Sequence, residues 1–214
     1  MEKKSKQQIK RLAFPILWNV AYLLINFRFN STYRIYCDMV FYLVLAVYFI
    51  CIGTVRFKAL WDNWKRGRSF WLPVLFTGLG MAGAFGIGMA LSLVFPGVPD
   101  GIGVFKVTDV PSIIAFALTT IFLPPIAEEA FYRKEIINFS SRASLILTAA
   151  AGILLYASEH SLRPFGLLIS SIWAIPMTIS YIKSRNIYIP VTAHFICNLA
   201  INGMTVVLAA ISIL

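Results

Sequence analysis

Residues 70–95 read FWLPVLFTGLGMAGAFGIGMALSLVF, twenty-six consecutive positions without a charged side chain. A helix crosses the hydrocarbon core with about 20 mostly apolar residues, so length and composition make this stretch a membrane span. Six further stretches obey the same rule, at residues 12–27, 33–55, 111–127, 143–157, 165–182 and 189–214. Seven spans leave no room for a separate soluble domain. The chain is therefore expected to be a single integral membrane domain over residues 1–214, an all-α polytopic transmembrane helical bundle. A hydrophobic fraction of 59%, a charged fraction of 13% and a mean hydropathy of +0.78 agree, since none describes a water-facing surface.

The span at 70–95 carries glycine at 78, 80, 83, 86 and 88, which predicts a small helix face on which neighbours approach closely. The stretch that follows it, PGVPDGIGVFKVTDVP, is turn-rich and is expected to form the longest loop of the side opposite the N-terminus. Cys37, Cys51 and Cys197 are odd in number and scattered through apolar runs, so they read as packing residues rather than disulfide or zinc ligands.

The N-terminal MEKKSKQQIKR, followed by LAFPILWNV, resembles the start of a signal peptide without a small-residue cleavage site, and is read as a retained first span. A net charge of +10 could indicate a nucleic-acid surface, but the basic residues lie in short clusters at span ends, which argues against nucleic acid as a partner. Fifteen of them (Lys3, Lys4, Lys6, Lys10, Arg11, Arg56, Lys58, Lys65, Arg66, Arg68, Arg133, Lys134, Arg142, Lys183 and Arg185) fall on the N-terminal side, against Arg28, Arg34, Lys106 and Arg163 on the other. The positive-inside rule then predicts a cytoplasmic N-terminus in a multi-pass protein, placed in the cell membrane if the source is a bacterium or archaeon.

Ionisable residues inside a bilayer are costly and default to function. The segment LPPIAEEAFYRKEI places adjacent carboxylates, Glu128 and Glu129, behind two prolines that lack backbone donors and should open the helix. Glu129 and Arg133 stand i,i+4 in the favourable order for an ion pair, which leaves Glu128 freer to act as a general base. The only two histidines, His160 and His194, both fall in or at the end of apolar stretches. Asn198 shares a helix face with His194, and Tyr156 precedes His160 by one turn. Two further i,i+4 pairs, Arg34 with Asp38 and Glu159 with Arg163, are expected to be structural. For ideal straight helices the depths of Glu128, His160 and His194 do not match, so tilt or a kink must close the gap.

These residues resemble the CAAX-protease and bacteriocin-processing (CPBP) family of intramembrane endopeptidases, type II CAAX prenyl endopeptidases among them, whose motifs are EExxxR, FxxxH and HxxxN. Glu128 to Arg133 matches the first and His194 to Asn198 the third. Tyr156 to His160 matches the second with tyrosine in place of phenylalanine. The region that carries the resemblance, and so the expected catalytic helices, is 111–203.

The resemblance implies a hydrolase in which Glu128, with His160, activates a water for attack on a peptide carbonyl, while His194 and Asn198 stabilise the oxyanion. Glu129, Arg133 and Tyr156 would support them. It implies a membrane-associated or lipidated peptide substrate, held among membrane lipids, and a role in peptide maturation or bacteriocin self-immunity. The family is often called a metalloprotease, and Glu128, His160 and His194 could hold zinc with water in the fourth position. Metal-bound and glutamate-activated water both stay open, the second favoured because the HExxH spacing is absent. Two rival classes remain: a non-catalytic membrane immunity or adaptor protein, and a small proton-coupled transporter.

Overall fold

A computed structural model describes the backbone of residues 2–26 and 31–213, and the side chains of 11–25 and 33–213. Arg28 and the side chains of Lys3, Lys4, Lys6 and Lys10, used above for topology, lie outside the described residues. The elements in order are α1 (Glu2–Asn26), α2 (Ser31–Cys51), α3 (Phe57–Trp64), α4 (Arg68–Val94), α5 (Val110–Ala117), a π-helical segment (Leu118–Phe122), α6 (Leu123–Glu128), a second π-helical segment (Glu129–Glu135), α7 (Arg142–His160), α8 (Pro164–Ser184) and α9 (Tyr188–Ile213). Six helical stretches are long and apolar enough to cross a membrane: Tyr33–Cys51, Arg68–Val94, Val110–Glu135, Arg142–His160, Pro164–Ser184 and Tyr188–Ile213. The shorter apolar helix Arg11–Ile25 takes the seventh place. The chain is a multi-pass membrane bundle, with no strand among its described residues.

Sequence reading extended the second span to residue 55, but α2 stops at Cys51 and a turn with Gly53 at φ 74° leads into α3. This short helix alternates buried Asn63 with exposed Phe57 and Trp61, and its Trp64 meets Trp61 and Trp71 at ring centroid distances of 6.1 and 6.3 Å. Indoles favour the boundary between apolar core and headgroups. At eight residues, α3 is too short to be recognised by apolar periodicity and was absorbed into a loop.

The glycines of α4 divide by face. A side-chain carbon at Gly80 would stand 3.1 Å from Pro176 and one at Gly88 2.9 Å from Trp173 Nε1, so α8 lies against this face at backbone range. Gly83 and Gly86, by contrast, face open space. The Cys197 thiol of α9 points at the Gly78 carbonyl, 3.8 Å away, and all three cysteines are free thiols.

Where Asp109 caps α5 it forms a reciprocal capping box with Ser112. Hydrogen bonds from Ser112 hold the Asp109 carboxyl below its ordinary range. The preceding connection, residues 95–109, folds back over the bundle end: Ser161 Oγ donates to the Asp100 carbonyl at 2.5 Å, and Arg34 lies against Gly103.

Candidate active site

The site grows from a defect in one helix. Pro124 and Pro125 cannot donate to the carbonyls four residues back, those of Thr120 and Ile121. The helix responds by widening: the Leu123 amide bonds to the Leu118 carbonyl, five residues back, and Asn202 Nδ2 of α9 donates to the Thr120 carbonyl at 3.3 Å. A second widening follows at Glu129–Glu135, where the Ile136 amide reaches the Phe131 carbonyl at 3.2 Å. Such π-segments shift helical phase locally and are frequent at functional sites. They supply the departure from ideal geometry that the mismatched depths required.

Both carboxylates are buried, and their surroundings differ. Glu129 and Arg133 are each 0% exposed and form the expected pair, Arg133 Nη1 to Glu129 Oε1 at 3.3 Å. The guanidinium also donates from Nη2 to the Ala174 carbonyl of α8 at 3.3 Å and sits 4.8 Å from the centroid of the Tyr156 ring. The tyrosine in the second motif is thus a platform for the arginine. Glu129 Oε1 faces a second partner, His194 Nδ1, at 3.0 Å.

Glu128 Oε2 is buried with no hydrogen-bond partner, 4.0 Å from His194 Nε2. That separation exceeds a direct bond and suits a bridging water. His160, the last residue of α7, sets its Nδ1 against the Tyr156 carbonyl at 3.0 Å and packs its ring 4.4 Å from that of Tyr156. A carbonyl only accepts, so Nδ1 carries the proton and the neutral ring keeps its lone pair on Nε2.

Glu128, His160, His194 and Asn198 all line one cavity of 540 Å³, into which Ile102 to Phe105 of the 95–109 connection also project. That connection, expected from sequence to be a turn-rich loop, walls the site. Arg34 and Asp38 lie on the same cavity and form the expected pair, Nε to Oδ2 at 3.9 Å, with Tyr22 Oη donating to Asp38 Oδ1 at 2.6 Å.

One pairing expected from sequence is not formed. Glu159 does not reach Arg163, because α7 ends at His160 and the helical spacing that would bring them together breaks at Ser161. Arg163 lies against Gly101, and Glu159 turns inward to accept from Tyr132 Oη, which itself accepts from Asn19 Nδ2 at 3.0 Å. Tyr42 lines the same cavity as Glu128 and Glu159. Glu159 therefore belongs to the cavity, and its position beside His160 inside the second motif was the available signal.

The expected zinc set of Glu128, His160 and His194 is not the set that converges. Among the described residues the cluster is Glu128, Glu129 and His194, with one ligand atom of each within 4.8 Å of the others. Glu129 is already held by Arg133 and His194, and His160 stands outside the cluster. Of this cluster's donors, Glu129 Oε1 is engaged by Arg133 and His194 Nδ1, whereas Glu128 Oε2 has no hydrogen-bond partner.

Residues 110–200 match a family model described as type II CAAX prenyl endopeptidase Rce1-like. The matched segment begins at the first residue of α5 and contains all three motifs. Comparison with curated proteins found no match, and neither did comparison with solved structures.

Proposed function

We propose, for a chain whose residues 110–200 match the type II CAAX prenyl endopeptidase Rce1-like family model, that it hydrolyses a peptide bond in a membrane-associated or lipidated peptide by attack of a glutamate-activated water. The observation that carries this reading is the unpartnered Glu128 Oε2 in a buried cavity it shares with His160, His194 and Asn198.

The water sits between Glu128 Oε2 and His194 Nε2. Glu128 takes one of its protons as the oxygen bonds to the peptide carbonyl carbon, and His160 Nε2 accepts a hydrogen bond that orients the same water. The carbonyl oxygen becomes an oxyanion facing His194 and Asn198. Asn198 Nδ2 donates directly. His194, whose Nδ1 proton is directed to Glu129, donates from Nε2 when the ring carries its second proton. Collapse breaks the C–N bond, and the proton on Glu128 passes to the departing amine. Arg133 keeps Glu129 in place and so holds the His194 ring through Nδ1.

The test is cleavage of a membrane-peptide library by the full chain purified in detergent, comparing wild type with Glu128→Ala and His194→Ala at equal folded yield, with and without chelator. Cleavage by wild type, lost by at least about a hundredfold in both variants and indifferent to chelator, is the expected result. Chelator sensitivity reversed by added zinc would replace the glutamate-activated water with a metal-bound one. No cleavage across the library, with both variants still protective in a bacteriocin challenge, would leave the non-catalytic immunity or adaptor reading. Peptide maturation and self-immunity are the physiological settings proposed for the activity.

A further inference from the structure

At the bundle end remote from the reaction cavity there is a second cavity, of 460 Å³, and its chemistry is different. Five basic side chains line it, Arg11, Arg56, Arg66, Lys134 and Arg185, against one carboxylate, Glu135. Glu135 is already engaged, accepting from Thr54 Oγ1 at 2.6 Å and lying 3.8 Å from Arg11 Nη1. Arg56, Arg66 and Lys134 are exposed and have no acidic partner among the described residues.

A topology signal alone accounts for basic residues at this end of the spans, but not for their convergence on one framed hollow. The five come from α1, the α2–α3 turn, the α3–α4 turn, the second π-helical segment and the end of α8. The frame is polar and fixed. Asn186 Nδ2 donates to Asn63 Oδ1 at 2.7 Å, the Tyr188 amide donates to Asn186 Oδ1 at 3.1 Å, and the Arg56 amide donates to Tyr188 Oη at 3.1 Å. Arg185 closes α8 at φ 53°, a left-handed conformation uncommon for a side-chain-bearing residue, and its guanidinium stacks 3.4 Å from the centroid of the Phe139 ring.

We propose that this basin binds the phosphate of an anionic phospholipid headgroup. Arginine forks match phosphate oxygens in pairs, and the five basic side chains around this hollow outnumber its one carboxylate, Glu135, which Thr54 and Arg11 already engage. The depth selects the source. The basin lies where the spans end, next to the Trp61, Trp64 and Trp71 cluster on and beside α3, and indoles of that kind sit at headgroup level. Basic pockets between helices at this level take lipid phosphates. The proposal does not depend on the reaction assigned to the other cavity.

The test uses the full chain in neutral detergent, titrated with short-chain phosphatidylglycerol, phosphatidylcholine or inorganic phosphate, read by native mass spectrometry and thermal unfolding. Retained phosphatidylglycerol and a raised unfolding temperature are expected, with phosphatidylcholine far weaker. The triple variant R56Q/R66Q/K134Q should lose on the order of a hundredfold in apparent phosphatidylglycerol affinity, at about 1 kcal/mol for each basic residue near the surface. The variant K58Q/R68Q/R142Q removes the same charge from exposed positions at the same end but outside the basin, and should retain most of that affinity. All six positions are exposed, so both variants should fold; unfolding without lipid checks this, and the single variants R66Q and K134Q serve if the triple does not. Equal losses in the two triple variants would reduce the effect to general surface charge and overturn the site. Binding of inorganic phosphate without phosphatidylglycerol would overturn the lipid as its source.

Discussion

Single residues divide the labour here, and Arg133 has the most to lose. It is fully buried, and among the described residues its charge is paired with Glu129, with support from the Ala174 carbonyl and the Tyr156 ring. Removing one member of a buried pair strands the other charge, at a cost of about 3–5 kcal/mol. Arg133→Met should therefore lower the unfolding temperature in detergent sharply, whereas Arg133→Lys, which keeps the charge but not the fork, should lower it less. If the two variants melt alike, a charge retained without the guanidinium fork contributes nothing to stability here. At this scale the sequence was most informative, because apolar surroundings make charged residues conspicuous. Glu128, Glu129, Arg133, His160 and His194 could be picked out for that reason alone. Glu159 was misassigned because i,i+4 spacing presumes a helix that continues, and α7 ends one residue later. The choice of Tyr132 over Arg163 as partner is a tertiary fact with no local signature.

Among the elements, packing of α7 on the second π-helical segment fixes where Glu159 and Tyr132 meet. Gly152 of α7 makes that approach possible: a side-chain carbon there would stand 2.5 Å from the Tyr132 carbonyl oxygen, a backbone atom that cannot swing aside. Gly152→Ala should cost about 1–3 kcal/mol in stability and lower cleavage by displacing the motif-bearing segment. Gly86→Ala, with nothing within 4 Å, should stay within about 0.5 kcal/mol. Comparing the two by thermal unfolding separates close packing from helix propensity, which both substitutions improve equally. Apolar length made the spans themselves legible. The π-helical segments were only half legible: two prolines announce a disturbance, but whether a helix kinks or widens depends on what satisfies the freed carbonyl, and the donor, Asn202, comes from α9.

For the whole molecule, the bundle presents two cavities of unlike chemistry at opposite ends, with the helix Val110–Glu135 contributing Glu128 to one and Glu135 to the other. Neither could be read from sequence, because each is assembled from side chains distributed along the entire chain. The cavity holding Glu128 depends on the 95–109 connection, tied down by Ser161 Oγ on the Asp100 carbonyl and by the Arg163 amide on Ser161 Oγ at 3.0 Å. Ser161→Ala should loosen this wall, seen as faster proteolytic nicking within 95–109 at unchanged global unfolding temperature; unchanged nicking would mean the tether is dispensable. Chain length is itself constrained by the widened turns at 118–122 and 129–135. Deleting one residue of the ordinary helix between them, such as Ile126, would turn everything after it by about 100°. Glu129 would then arrive where Glu128 stands, Ala130 where Glu129 stands, and Lys134 where Arg133 stands. An indel that a hydropathy profile would not register would thus replace the buried ion pair with an alanine facing a lysine.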